Sequence, residues 1–176
     1  MDNTILLVDD EEGIRKVLGI SLEDSGYSVL KAENGEQALE LFQKHRPQIV
    51  LTDIKMPGMD GISLLKAIKR EDPDTEVIMI TGHGDMDLAI QSLKLEATDF
   101  VTKPINDDVL EIALKRANDR LDMRRQLSAY TENLEKLVEE KSARLVKLER
   151  LAALGQAVDG LSAAIVDIAE IGRAHV

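Results

Sequence analysis

Up to about residue 118, short apolar runs alternate with stretches in which apolar residues recur every three or four positions. The runs at 4–8, 27–32, 48–52, 76–80 and 99–102 are rich in Ile, Val, Leu and Thr and are bounded by turn-forming residues, a pattern that predicts five strands. Helical periodicity at about 12–25, 35–45, 61–71 and 85–95 fills the gaps, so the order is five βα units. Ile49-Val50-Leu51 and Val77-Ile78-Met79-Ile80 lack strict alternation, as strands do when both sheet faces are covered. Right-handed crossovers then give an α/β fold, a doubly wound five-stranded parallel sheet.

Beyond Pro104 the punctuation stops. Asn106 suits an N-cap, Asp107 and Asp108 favour the positive end of a helix dipole, and no Pro follows, so one helix is expected from about 107 into the 150s or further. Leu127, Leu134, Leu137, Val138, Leu145, Leu148, Leu151 and Ala152 recur close to every 3.5 residues, with Glu, Lys and Arg between them. That stripe predicts a coiled coil with a second copy of the chain, in which Lys141 near the seam would restrict register. Packing of the amphipathic helix in cis is the plainer alternative.

Charge sharpens the division. The chain has 176 residues and a formal charge of −11, and residues 1–117 hold 23 acidic and 13 basic groups against 10 and 9 in 118–176. A boundary near 118 is therefore expected. An acidic chain with two Tyr, two Phe and no Trp offers neither the basic surface nor the stacking rings of a nucleic-acid platform. The absence of Cys removes disulfides, thiolate catalysis and Cys-ligated zinc. Uninterrupted apolar runs reach about five residues against the ~20 that span a bilayer, and Met1 opens no leader, so a cytoplasmic location without a membrane segment is expected.

Ligands of an open α/β sheet bind outside the carboxyl ends of its strands. Here those ends carry Asp9-Asp10, Asp53, Thr81 and Lys103. Singly, each has a bland reading: the acids as dipole-stabilised helix starts, Thr81 as a strand end, Lys103 as a solvated charge. Jointly, three carboxylates in one rim repel unless a cation joins them, and an oxygen-only set favours Mg²⁺. A carboxylate beside Mg²⁺, with a hydroxyl and an ammonium in reach, can attack phosphorus; Asp53 then becomes an aspartyl phosphate while the metal and Lys103 neutralise the transferring oxygens. The Pro/Gly turn after Asp53 could present the Lys55 carbonyl to the metal.

The segments Ile5-Leu6-Leu7-Val8-Asp9-Asp10-Glu11, Thr52-Asp53-Ile54-Lys55-Met56-Pro57-Gly58-Met59-Asp60-Gly61, Ile80-Thr81-Gly82-His83-Gly84 and Asp99-Phe100-Val101-Thr102-Lys103-Pro104 together resemble the receiver domain of two-component response regulators, over about 3–118. The resemblance implies a flavodoxin-like strand order 2-1-3-4-5. It implies that Asp53 is phosphorylated by a histidine kinase or phosphotransfer protein, and that Asp10, Asp53 and the Lys55 carbonyl hold Mg²⁺ with help from Asp9. Lys103 would contact the phosphoryl group, Lys103–Pro104 would be cis, and Thr81 with Phe100 would form the switch. Lys55 and His83 flank the acyl phosphate and are expected to tune its lifetime. Glu96 stands where the family often has Gly.

Further on, Glu149-Arg150-Leu151-Ala152-Ala153-Leu154-Gly155-Gln156 looks like the start of the dimerisation helix of sensor histidine kinases. The domain plan is therefore a receiver at 1–118, a coiled-coil signalling helix at 119–154 and a degenerate or truncated kinase-like helix at 155–169. Ala163 occupies the position of that family's phosphoaccepting His, so the chain as it stands is not expected to autophosphorylate. An N-terminal piece of a receiver-containing histidine kinase is the alternative reading. Residues 170–176 back-translate as GAG ATC GGA AGA GCA CAC GTC, which resembles a sequencing adapter, and are expected to be a non-native tail. Three other classes fit less well. An aspartate-nucleophile phosphatase would want an acid where Lys55 stands. A flavin domain would want aromatics, and a DNA-binding factor would want more basic residues than Arg124-Arg125.

Overall fold

A computed structural model of the chain describes residues 3–82 and 84–174. The elements run β1 (Thr4–Val8), α1 (Glu12–Asp24), β2 (Ser28–Ala32), α2 (Gly35–His45), β3 (Ile49–Asp53), α3 (Gly61–Glu71), β4 (Glu76–Thr81), α4 (Met86–Lys94), β5 (Asp99–Thr102) and α5 (Asp107–Ala174). All pairings are parallel, and the order is β2-β1-β3-β4-β5. This is the flavodoxin-like sheet that the βα alternation and the motifs imply.

Local chemistry explains the boundaries. Asn34 and Asp60 cap α2 and α3 by accepting from the backbone N–H of Gln37 and Ser63. Gly61 begins α3 because the turn back from Asp53 is too tight for a side chain: a Cβ there would collide with the Asp53 carbonyl. β3 and β4 are buried at every position. One face of the sheet packs Leu6, Val8, Val50 and Met79 under α2 and α3, and the other packs Ile5, Leu7, Leu51 and Ile80 under α1 and α5.

The chain divides into two compact units, Met1–Arg124 and Arg125–Val176. The first extends six residues past the boundary that charge alone suggests. Leu110, Ala113, Leu114, Ala117 and Leu121 form one buried face of α5, and Arg124 ion-pairs with the buried Glu76. In the second unit the described residues are helical and exposed, including Leu127, Leu134, Leu137, Val138, Leu145, Leu148 and Leu151. An 18-residue stretch of α5 reaches mean hydropathy 1.4 and is wholly exposed, which by length and composition alone would allow a bilayer crossing. Counting uninterrupted apolar runs missed it because Gly, Ser and Asp, such as Asp159 and Asp167, break the sequence up.

Candidate functional site

The carboxyl ends of β1, β3, β4 and β5 bring Asp9, Asp53, Thr81 and Lys103 to one edge. Register does the placing: Val8 lies beside Thr52, Asp53 beside Ile80, and Thr81 beside Thr102. Lys103 is fixed by its own main chain, whose N–H donates to the Thr81 carbonyl at 2.7 Å. The Lys103–Pro104 peptide is cis.

Lys103 Nζ is the hub. It lies 2.9 Å from Asp53 Oδ2, 3.0 Å from Asp9 Oδ2 and 3.3 Å from Glu11 Oε1. Burial works against the ammonium, but its hydrogen bond to Asp53 and the close charges of Asp53 and Asp9 outweigh it and raise its pKa. Asp9 is fully buried, and desolvation raises its carboxyl above the usual range despite the Glu11 N–H and Lys103. Although Lys103 is close enough to pair with Asp9 Oδ2, no donor is aligned on that buried oxygen for a hydrogen bond. Asp53 is also buried, its Oδ1 accepting from the Lys55 N–H at 3.3 Å. Asp10 is exposed.

Carboxylate oxygens of Asp9, Asp10 and Asp53 lie within 4.8 Å of one another. Their donor set is all oxygen and carries three negative charges against one shared ammonium. Together with the unaligned Asp9 oxygen, this fits a hard divalent cation such as Mg²⁺.

The remaining expected residues are distributed around this edge. Thr81 is buried as the last residue of β4, and Phe100 is half-buried against the core on the α2–α3 side. The Lys55 ammonium engages Asp85 at 2.6 Å. His83 lies outside the described residues.

Some participants were given no role by the motifs. Glu11 shares Lys103, Arg15 donates to the Asp9 carbonyl at 2.6 Å, and Glu36 accepts from the Met59 N–H at 3.0 Å, securing the turn after Asp53. Asp85 is the most informative, because its partner is distant in sequence and only the fold joins them.

Comparison with known proteins identifies the family. The family model of the response regulator receiver domain matches residues 5–115. Nitrogen assimilation regulatory protein NtrX of Azorhizobium caulinodans is 40% identical over 129 residues, which are 72% of this chain and 28% of that protein. Sporulation initiation phosphotransferase F of Bacillus subtilis is 41% identical over 116 residues, 66% of this chain and 94% of that one. This chain therefore spans little more than a quarter of NtrX and nearly all of the phosphotransferase. Among solved structures, a response regulator receiver domain protein from Clostridium thermocellum superimposes with TM-score 0.65 at 35% identity, covering 70% of this chain and 98% of that one. The receiver domain of NtrX from Brucella abortus gives 0.63 at 36%, covering 67% and 98%. Receiver domains generally bind Mg²⁺ at an acidic pocket, the place held here by Asp9, Asp10 and Asp53. By sheet order, clustered strand ends and a family match over more than half its length, the chain belongs to the receiver domains of two-component response regulators.

Proposed function

We propose that the protein works in phosphorelay signalling by accepting a phosphoryl group on Asp53 from a histidine kinase or phosphotransfer protein. The observation that carries this reading is the buried Asp53 carboxylate, 2.9 Å from Lys103 and grouped with the oxygens of Asp9 and Asp10. An Asp53 oxygen attacks phosphorus, the P–O bond forms as the P–N bond to the donor imidazole breaks, and the departing nitrogen keeps the electron pair. Asp10, Asp53 and the Lys55 carbonyl would hold Mg²⁺ with Asp9 supporting; when bound, it supplies positive charge to the phosphoryl oxygens. Lys103 holds Asp53 in place and then takes up a phosphoryl oxygen. Thr81 and Phe100 serve as the switch pair that responds to the new charge. Lys55 and His83 set how long the phosphate survives, so Lys55→Ala and His83→Ala should change its hydrolysis rate; unchanged rates would remove that role.

A surface suited to the donor adjoins the site. Val17, 73% exposed, and the half-buried Ile14 line a hollow of about 480 Å³ with Pro104, Ile105 and the Lys103 stem. An apolar face beside the acceptor would let a donor helix dock without opposing the acidic charge.

The exposed leucine stripe of the second unit supports pairing of two copies as a coiled coil, since a lone helix gains little stability from apolar residues left in water. The receiver would pass its switch to that dimeric helix in the cytoplasm.

Incubation with Mg²⁺ and acetyl phosphate, followed by intact mass, tests the acceptor. Wild type should gain about 80 Da in a hydroxylamine-sensitive form and Asp53→Ala should not. An equal adduct in Asp53→Ala would overturn the assignment. Light scattering should give twice the 19.5 kDa chain mass, and a persistent monomer would defeat the coiled coil.

A further inference from the structure

Asp85 sits at the N-cap position of α4, where an Asp normally accepts a hydrogen bond from the second or third helical N–H. It makes no such bond: its backbone is held at φ −99° and ψ 22°, and no side-chain cap is formed. Asn34 and Asp60 do cap α2 and α3 in this same domain; α1, opened by Glu11, is also uncapped, but Asp85 is a residue type suited to capping that does not cap. The Asp85 carboxylate is instead 2.6 Å from Lys55 Nζ.

The pair is unequal in its setting. The Asp85 side chain is 9% exposed and that of Lys55 66%. A carboxylate so far out of water needs a partner, whereas the ammonium can leave for another at small cost. Lys55 stands two residues after Asp53, and its N–H already donates to Asp53 Oδ1, so its flexible stem begins beside the phosphoacceptor. Around Asp85 the contacts are loose: its N–H reaches the Gly82 carbonyl only at 3.4 Å, and Gly84 has φ +91° with nothing within 4 Å of a Cβ.

A phosphoryl group on Asp53 would bring close to two negative charges within reach of that stem, against one on Asp85. We propose that Asp85 is a positioning residue that holds the Lys55 ammonium at the mouth of the site in the unphosphorylated protein and yields it to the phosphoryl group, whereupon its own carboxylate caps α4. This rests on Asp53 as the phosphoacceptor. It joins the two loops flanking the site through a side-chain exchange: Lys55 changes partner, and the first turn of α4 gains the hydrogen bond it lacks. Because α4 presents Met86, Ile90 and Leu93 to solvent, tightening its first turn also steadies an apolar surface.

Amide hydrogen exchange at Asp87 and Leu88, the positions that a cap at Asp85 would bond, tests the exchange of partners. Lys55→Met, with no phosphate present, should slow these amides roughly fivefold relative to wild type, the effect of one side-chain cap. Lys55→Arg should restore wild-type exchange, and adding Asp85→Ala to Lys55→Met should abolish the slowing. Wild type treated with Mg²⁺ and acetyl phosphate should show the same slowing. No slowing in Lys55→Met, or slowing that survives Asp85→Ala, overturns the latch. A phosphorylated wild type with unchanged amides overturns the yielding of Lys55 to phosphate. A wild type that takes up no phosphate overturns the Asp53 reading and with it the release step, while the Lys55→Met comparison still decides whether Asp85 is held off its helix.

Discussion

Asp9 and Glu76 are both fully buried, and they sit at opposite ends of the same sheet, one after β1 and the other opening β4. Glu76 is saturated. The Thr98 hydroxyl and Arg120 meet one carboxylate oxygen, Arg124 Nη1 meets the other at 2.5 Å, and the neighbouring Lys69 donates to the carbonyls of Pro73 and Thr75. Burial holds Lys69 below its ordinary pKa, with Glu76 acting in the opposite sense. Asp9, by contrast, shares a single ammonium with Asp53 and Glu11, and its buried Oδ2 has that shared cation beside it without an aligned hydrogen bond. One end of the sheet uses its buried charge to hold elements together. The other leaves acceptor capacity open, as a site must if it is to receive a cation and a phosphoryl group.

Removing each carboxylate should therefore have opposite signs. Glu76→Ala strands Arg120, Arg124 and Thr98, and urea unfolding should show a loss of about 3 kcal/mol, at the low end for a buried pair because Arg124 can turn to water. Asp9→Asn should stabilise the Mg²⁺-free protein by about 1 kcal/mol, since it removes a buried charge and its repulsion with Asp53, while weakening Mg²⁺ binding in a titration. A loss of stability in Asp9→Asn would mean that Lys103 compensates Asp9 fully and that the two ends are alike.

Acid titration sharpens the same contrast. The folded Asp9 carboxyl is raised above its ordinary 3.8, so the folded state binds the proton more tightly than the unfolded chain. Its contribution to stability is complete below that ordinary value and is lost as pH rises through the folded one. The corresponding fall in stability should be present in Mg²⁺-free wild type and absent in Asp9→Asn; equal slopes would assign the proton elsewhere.

The smallest effect belongs to Glu96, which adopts φ +69° in the turn leading to Thr98. That left-handed conformation strains any residue with a Cβ, so Glu96→Gly should stabilise by about 1 kcal/mol or less in urea.

Much of this was legible in the sequence, for identifiable reasons. Strands buried on both faces announce themselves as β-branched runs, so Ile49–Asp53 and Glu76–Thr81 were marked to within a residue. Because parallel strands end on one edge, reading the polar residue after each run assembled Asp9, Asp53, Thr81 and Lys103 without coordinates. Glu96 was visible as a departure from the family's Gly, and its positive φ supplies the physical cost. What stayed hidden depends on pairs distant in the chain. Arg124 stood out only as half of an isolated basic pair because Glu76 is 48 positions away, and Asp85 drew no role because Lys55 lies in another loop.

The missing side chain of Gly61 has a mechanical consequence. Because α3 starts in direct contact with the Asp53 carbonyl, a main-chain displacement at Asp53 would meet the helix at once. Across the site, Gly84 opens onto free space. The two sides of the pocket thus differ in room, closed at Gly61 and open at Gly84.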